Sequence, residues 1–203
     1  DSVWAIGYNT FSVPSASRTS KIYRSINAGA SWTVYSGFPI GTLSQNLTEI
    51  EFPSRLIGYA AGSRDTIYKT TDGGVTWTKT RIYSALNFGI RGEIKPTFIR
   101  VASFPSMSVD RSGGANDGNI YITWPQRGVT PAGSDPDVVV IRSTDGGTTW
   151  SSPLRVNNDA LNNGKDQYYP WCTVDQNTGQ LNIVFYDNRN TTNDSTGVYM
   201  ATS

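Results

Sequence analysis

The sequence predicts an all-β fold assembled from repeated antiparallel sheets, and three observations carry that prediction. Only 16% of the 203 residues are charged while 12% are aromatic, so long polar helix formers are scarce and strand formers abundant. Turn formers punctuate short apolar runs throughout, with 20 Gly and 10 Pro. One short pattern also recurs along the chain, the mark of a repeat architecture. The 37% hydrophobic share, with six Trp, supplies core for one or two domains and excludes an acidic disordered chain.

The recurring pattern is a strand, a tight turn and a tryptophan. Residues 22–32 (IYRSINAGASW) return as 67–77 (IYKTTDGGVTW) and again as 141–150 (IRSTDGGTTW). Their common frame is Ser/Thr-x-Asp-x-Gly-x-Ser/Thr-Trp. It falls on Ser25, Asn27, Gly29 and Trp32, on Thr70, Asp72, Gly74 and Trp77, and on Ser143, Asp145, Gly147 and Trp150. Asn27 replaces the aspartate in the first copy. Such a hairpin needs an acceptor for backbone N–H groups, which Asp supplies, and a positive φ, which Gly supplies. The indole can then bury against the hairpin while its N–H finds an acceptor.

This frame resembles the Asp-box, or BNR repeat, of sialidases and related β-propellers. The resemblance implies a β-propeller of four-stranded antiparallel blades. It also implies that the twelve frame residues are devices of the fold, remote from any active site.

Spacing divides the chain. Trp32 and Trp77 lie 45 residues apart, the length of one blade of four short strands. Trp4-Ala5-Ile6-Gly7 matches Tyr59-Ala60-Ala61-Gly62, and the first copy carries an insertion over residues 8–21, with Pro14, that reads as a long loop. Residues 1–88 thus read as two short-repeat blades, similar to those of photosystem-assembly factors and sortilin-type proteins. Residues 89–100 read as a linker or a seam. Over 101–203 the repeat lengthens: Phe104–Asp110 recurs as Tyr169–Asp175, Asn119–Arg127 aligns with Leu181–Arg189, and Asp137–Ser143 aligns with Gly197–Ser203. This half is similar to exo-sialidase-like secreted proteins of Bacteroidetes-type bacteria. Ser203 takes the first position of another Asp-box, so an incomplete propeller of about three and a half blades is expected. Further blades or other chains would complete it. A start at Asp1 without Met fits a processed or partial chain.

Composition also limits the chemistry. With 17 basic and 16 acidic residues the net charge is +1, which gives no electrostatic basis for nucleic-acid binding. No apolar run is long enough to span a membrane as a helix. Histidine is absent, which removes His-dependent triads and His-ligated zinc. The single cysteine, Cys172, excludes an intramolecular disulfide and aligns with Met107, so a buried apolar position is expected.

Sialidases of the resembling kind use an arginine cluster for the substrate carboxylate, a Tyr/Glu nucleophile pair and an Asp acid/base. The first arginine precedes a Pro in an inner strand. Ser103-Phe104-Pro105 and Tyr168-Tyr169-Pro170 are the matching triplets, and neither carries it. The resemblance leaves Asp135 and Asp137 as candidates for the acid/base and Arg127 and Arg189 for substrate contact. Loop capping and surface charge are the preferred reading of all four. The three glutamates, Glu49, Glu51 and Glu93, stand in no recognisable Tyr/Glu context. No catalytic residue is assigned, so a non-catalytic binding module is the first expectation and a sialidase-like hydrolase the second. Trp124, Tyr168, Tyr169 and Trp171 could stack on sugar rings, with core packing as the alternative. Two Asp/Asn-rich turns offer oxygen ligands suited to Ca²⁺, through Asp117 and Asn119 and through Asp159 and Asp166, although Asx-turns explain them as well. Apart from that ion no cofactor is expected. An extracellular glycan or protein partner, a secreted or cell-surface location, and glycosylation sequons at Asn46, Asn190 and Asn193 complete the expectations.

Overall fold

A computed structural model describes residues 2–8, 20–35, 47–62, 66–82, 90, 93–94, 99–101, 103–192 and 195–203. Among them every regular element is a strand. The insertion over residues 8–21 and the sequons at Asn46 and Asn193 lie largely or wholly outside the described residues. No helix among the described residues is long and apolar enough to cross a membrane.

The chain divides into two compact units, Asp1–Tyr83 and Ser84–Ser203. In the first, β1 (Val3–Tyr8), β2 (Ser20–Ser25) and β3 (Thr33–Tyr35) form one antiparallel sheet. A second sheet takes β4 (Leu47–Glu51), β5 (Gly58–Gly62), β6 (Thr66–Thr70) and β7 (Thr78–Arg81) in chain order. Alternation puts Trp4, Ile6 and Ile22 into a shared core with Leu47, Ala60, Tyr68 and Trp77. Trp4 stacks on Phe52 at 3.8 Å, and Phe52 meets Trp77 edge-on at 5.9 Å.

In the second unit β8 (Glu93–Ile94) and β9 (Ile99–Arg100) form a short ladder. The segment expected as a linker or seam therefore contributes structure, since Ile90, Ile94 and Val101 bury together with Tyr168. Next comes a four-stranded sheet of β10 (Ser106–Val109), β11 (Ile120–Gln126), β12 (Asp137–Ser143) and β13 (Leu154–Arg155). The last sheet orders β14 (Gln167–Val174), β15 (Leu181–Asp187) and β16 (Gly197–Thr202). Tyr121 and Val138 of the first of these sheets pack on Cys172, Val174, Leu181, Ile183 and Phe185 of the second. Cys172 is buried, as its alignment with Met107 implied. Across the same junction the backbone N–H groups of Cys172 and Val174 donate to the Ser106 and Ser108 hydroxyls, each at 3.1 Å.

The ladders correct one alignment. Ile120 pairs with Val109 and Ser143, and Leu181 pairs with Val174 and bonds to Ser203, so Ile120 is the counterpart of Leu181. The match of Asn119–Arg127 to Leu181–Arg189 is therefore one residue out of step, and Arg127 corresponds to Asn188. Apolar runs alone could not fix the register, because the turns preceding the two strands differ in length.

The three repeated turns share one geometry. In each, the hydroxyl of Ser25, Thr70 or Ser143 accepts from the N–H of Gly29, Gly74 or Gly147 at 2.8–2.9 Å and donates to the side chain of Asn27, Asp72 or Asp145. That side chain in turn accepts the N–H of Ser31, Thr76 or Thr149 at 2.9 Å. The Trp77 and Trp150 indoles donate to the Gly74 and Gly147 carbonyls at 3.1 and 3.2 Å. Gly74 has a second reason to be glycine besides its φ of 88°, because a Cβ there would lie 2.4 Å from the Trp4 ring.

Side-chain and backbone bonds from Thr76 and Thr149 hold Asp72 and Asp145 ionised down to a pKa of about 2. A carboxylate with a depressed folded pKa contributes stability above its unfolded pKa, and that contribution is lost as pH falls through the folded one. Stability is thus expected to decline between about pH 4 and pH 2, and Asp72→Asn with Asp145→Asn to flatten that decline. Thermal midpoints measured across the window check this, and parallel profiles for parent and variant would contradict it.

Candidate functional site

The ladders bring a set of polar ends together at the edge of the second unit opposite its repeated turn. Gln126 pairs with Asp137 where β11 gives way to β12, and Gln167, Asp187 and Gly197 pair where β14, β15 and β16 meet. The connections 127–136 and 156–166 close over this end. Strands present their last side chains here, so residues far apart in sequence become neighbours.

Asn157 is the hub. Its amide nitrogen lies 2.6 Å from Asp137 Oδ1, 2.7 Å from Asp159 Oδ1 and 2.8 Å from Gln167 Oε1, and its Oδ1 accepts from Val138 N–H at 2.9 Å. Gln167 donates to Asp159 at 3.2 Å and to Asp187 at 3.1 Å. Arg155 sets Nε on Asp137 at 2.6 Å and Nη2 on Asp159 at 2.9 Å. Arg189 grips Asp187 Oδ2 through Nε and Nη2 at 2.7 and 2.6 Å, reaches Asn158 with Nη1, and lies 4.8 Å from the Tyr199 ring centroid. Three carboxylates thus meet two guanidiniums, with Asp137 and Asp187 wholly buried.

Burial opposes the charge of Asp159, but hydrogen bonds from Asn157 and Asn163 and the charges of Arg189 and Arg155 outweigh it and hold its pKa below the usual carboxylate range. Burial likewise works against the Arg189 cation, and the bond and charge of Asp187 raise its pKa nonetheless.

The candidates from sequence divide on this map. Asp137, Asp159 and Arg189 belong to the network. Asp135 sits beside it, with Oδ2 accepting from Gly164 N–H at 2.7 Å and Oδ1 buried without a hydrogen bond. Arg127 is exposed on the connection after β11. Ser103, which stands where the resembling enzymes carry arginine, donates to the Ile90 carbonyl at 2.6 Å. Two of the proposed sugar-stacking residues need correction. Trp124 is fully buried with its indole on Gln126 at 3.2 Å, and Tyr168 is buried against Ile90 and Val101, so neither presents a ring face to a ligand. Tyr169 and Trp171 are exposed. A register shift between Tyr168 and Trp171 turns Tyr169 outward, at a φ of 48° that only a few per cent of non-glycine residues adopt.

The calcium candidates do not converge. Asp117 accepts from Gly113 N–H and Asn119 donates to Asn116 in a turn at the other end of the sheet. Asp159 already faces Arg155, and Asp166 N–H bonds to Asn188. No group of three or more acidic or Cys side chains suited to a metal occurs among the described residues. Sequence reasoning missed Arg155, Gln167 and Asp187. The only available signal was that charged or amide residues terminate apolar strands at 155, 167 and 187.

A scan of family models and a comparison with curated proteins return no match. Among solved structures the chain is similar to an alpha-L-arabinanase of Penicillium chrysogenum complexed with arabinobiose. That match is 18% identical with a TM-score of 0.57, and it covers 91% of this chain and 54% of the arabinanase. It is also similar to the NanB sialidase of Streptococcus pneumoniae, at 15% identity and TM-score 0.52, over 91% of this chain and 26% of the sialidase. The fold is that of a β-propeller. This propeller chain spans about half of one of those proteins and a quarter of the other.

The first unit has an acidic group of its own with a displaced pKa. Burial, with the charge of Glu51 adding to it, pushes the Glu49 carboxyl up to about 7. A folded pKa above the unfolded one costs stability as pH rises from about 4.5 to 7 and leaves a constant deficit above that. Glu49→Gln is expected to stabilise the first unit at pH 8 by up to about 2 kcal/mol, allowing for screening at a half-buried site, and to change little at pH 4. Urea unfolding at both pH values checks this, and an equal effect at the two would contradict it.

Proposed function

We propose that this chain is part of an Asp-box propeller that works as a secreted, non-catalytic binding module for glycans at a bacterial cell surface. The engagement of the carboxylates carries the reading. Asp137 uses Oδ1 on Arg155 and Asn157 and Oδ2 on Gly133 N–H, while Asp187 uses Oδ1 on Gln167 and the Arg189 N–H and Oδ2 on the Arg189 guanidinium. Glycoside hydrolysis of the usual kinds needs one acid able to donate a proton and a second group placed to attack or to activate water. Groups locked in ion pairs serve neither role, and Ser103 lacks the charged fork that would grip a sialic carboxylate.

A binding role has support in the outward-turned Tyr169. Backbone strain held in place by surrounding structure accumulates at functional sites, and an exposed phenol ring beside polar strand ends suits a sugar. The resemblance of residues 101–203 to secreted bacterial proteins supports the location.

The test pairs calorimetry against neutral and sialylated oligosaccharides with a fluorogenic sialoside assay. Weak glycan binding lost in Tyr169→Ala, without turnover, is the expected result. Turnover abolished by Asp135→Ala would overturn it in favour of a sialidase-like hydrolase, since Asp135 keeps one oxygen without a hydrogen bond.

A further inference from the structure

The connection 156–166 carries the one Asn-Gly step of the sequence, Asn163-Gly164, and both residues are exposed. An asparagine followed by glycine is open to attack on its own side-chain amide, because no Cβ shields the next backbone nitrogen. The backbone here is curled around that amide. Asn162 and Gly164 flank Asn163 with left-handed φ values of 59° and 72°, the first of them unusual for a residue with a side chain. A Cβ placed on Gly164 would meet nothing within 4 Å, which leaves room for a five-membered ring to form.

Three hydrogen bonds place the groups that would react. Asn163 Oδ1 accepts from the Lys165 N–H at 2.9 Å, which folds the side chain back along its own backbone and polarises its carbonyl. The Gly164 N–H, whose proton has to leave for the nitrogen to attack, donates to Asp135 Oδ2 at 2.7 Å. Asn163 Nδ2, the group that would depart, donates to Asp159 Oδ2 at 2.7 Å. Asp135 reaches in from the connection 127–136. Unlike Asp137 and Asp187 it meets no guanidinium among the described residues, and its Oδ1 is buried without a hydrogen bond.

We propose that Asn163 is a site of self-modification, at which the Gly164 nitrogen closes on the Asn163 side chain and expels ammonia. The bond from Gly164 N to Asn163 Cγ forms and the Cγ–Nδ2 bond breaks. Asp135 takes the Gly164 proton, and the departing nitrogen gains one through solvent. Water then opens the succinimide at either carbonyl, which leaves aspartate or isoaspartate. Both products undo the junction that made them. A carboxylate replaces the donor to Asp159, so two like charges meet where a hydrogen bond stood. Isoaspartate also lengthens the backbone by one methylene and moves Gly164 away from Asp135. The connections 127–136 and 156–166 then lose the bonds that Gly164 and Lys165 N–H make to Asp135. The change is a slow, one-way release of one loop from the other, and it requires nothing of the glycan reading.

The intact chain, held at neutral pH, is expected to convert at Asn163 at least about tenfold faster than the same chain unfolded in guanidinium chloride, a small part of what a positioned base supplies. Peptide mapping by mass spectrometry reads the amide-to-acid mass gain and separates isoaspartate from aspartate. Asp135→Asn, with its fold checked by circular dichroism, should remove most of the advantage. Asn163→Asp should speed hydrogen exchange at Gly164 and Lys165 while β11 and β12 stay protected. A folded-to-unfolded rate ratio near or below one, aspartate as the sole product, a rate indifferent to Asp135→Asn, or unchanged exchange in Asn163→Asp would each overturn the proposal. Should Asp135→Asn fail to fold, the rate ratio of the parent chain decides by itself.

Discussion

Asp187→Ala is expected to destabilise the second unit by about 3–5 kcal/mol, the cost of leaving one member of a buried ion pair alone. Arg189 would keep its place beside Asn158 and Tyr199 but lose both bonds from its guanidinium to Asp187 Oδ2. Gln167 would lose an acceptor at the same time, so the damage reaches β14. Asp187→Asn keeps the shape and one acceptor and should cost clearly less. Urea unfolding read by tryptophan fluorescence separates the two variants, provided that the slope m stays constant. A loss below about 1 kcal/mol for Asp187→Ala would show that the network is not cooperative.

Trp124→Ala is expected to cost a similar amount, about 3–5 kcal/mol, through the cavity it opens in the centre of β11. The side chain is fully buried, and its indole N–H is matched to Gln126 Oε1, whose amide in turn donates to the Val129 carbonyl at 2.7 Å. Phenylalanine would fill part of the volume and leave the Gln126 oxygen unsatisfied, giving an intermediate loss. Because the ring is inaccessible, glycan affinity per folded molecule should not change. A Trp124→Ala protein of parental stability but lost glycan affinity would reverse this assignment.

The fold was legible because its signals are local. A Ser/Thr, an Asp and a Gly at fixed offsets describe a turn whose bonds all close within a few residues, as Thr70, Asp72 and Gly74 demonstrate. Strand identity followed from the same locality. Register did not, and the one-residue slip between β11 and β15 shows why: apolar runs such as residues 120–124 look alike in either frame until the turn before them is known.

The polar end was legible only in fragments. Asp137, Asp159 and Arg189 could be named, but Arg155 reaches Asp137 and Gln167 reaches Asp187 from neighbouring strands, and no spacing rule links 137 to 155 or 167 to 187. Burial decided the aromatic candidates, and sequence cannot report burial when Tyr168 and Tyr169 are adjacent and chemically identical. The backbone at Tyr169 sends one ring in and the other out.

The paired hydroxyls of Ser106 and Ser108 bear on how such a chain avoids clumping. An inner strand is the edge of its sheet, and an edge with unused amides invites strands from other molecules. Here the outward amides of Cys172 and Val174 are claimed by a neighbouring sheet of the same chain before any stranger can reach them. Two small side chains thus act as a guard against runaway sheet growth during synthesis, when exposed edges are most numerous. Any lengthening of this architecture by copying a sheet must copy that guard or replace it, which limits how freely repeats can be added.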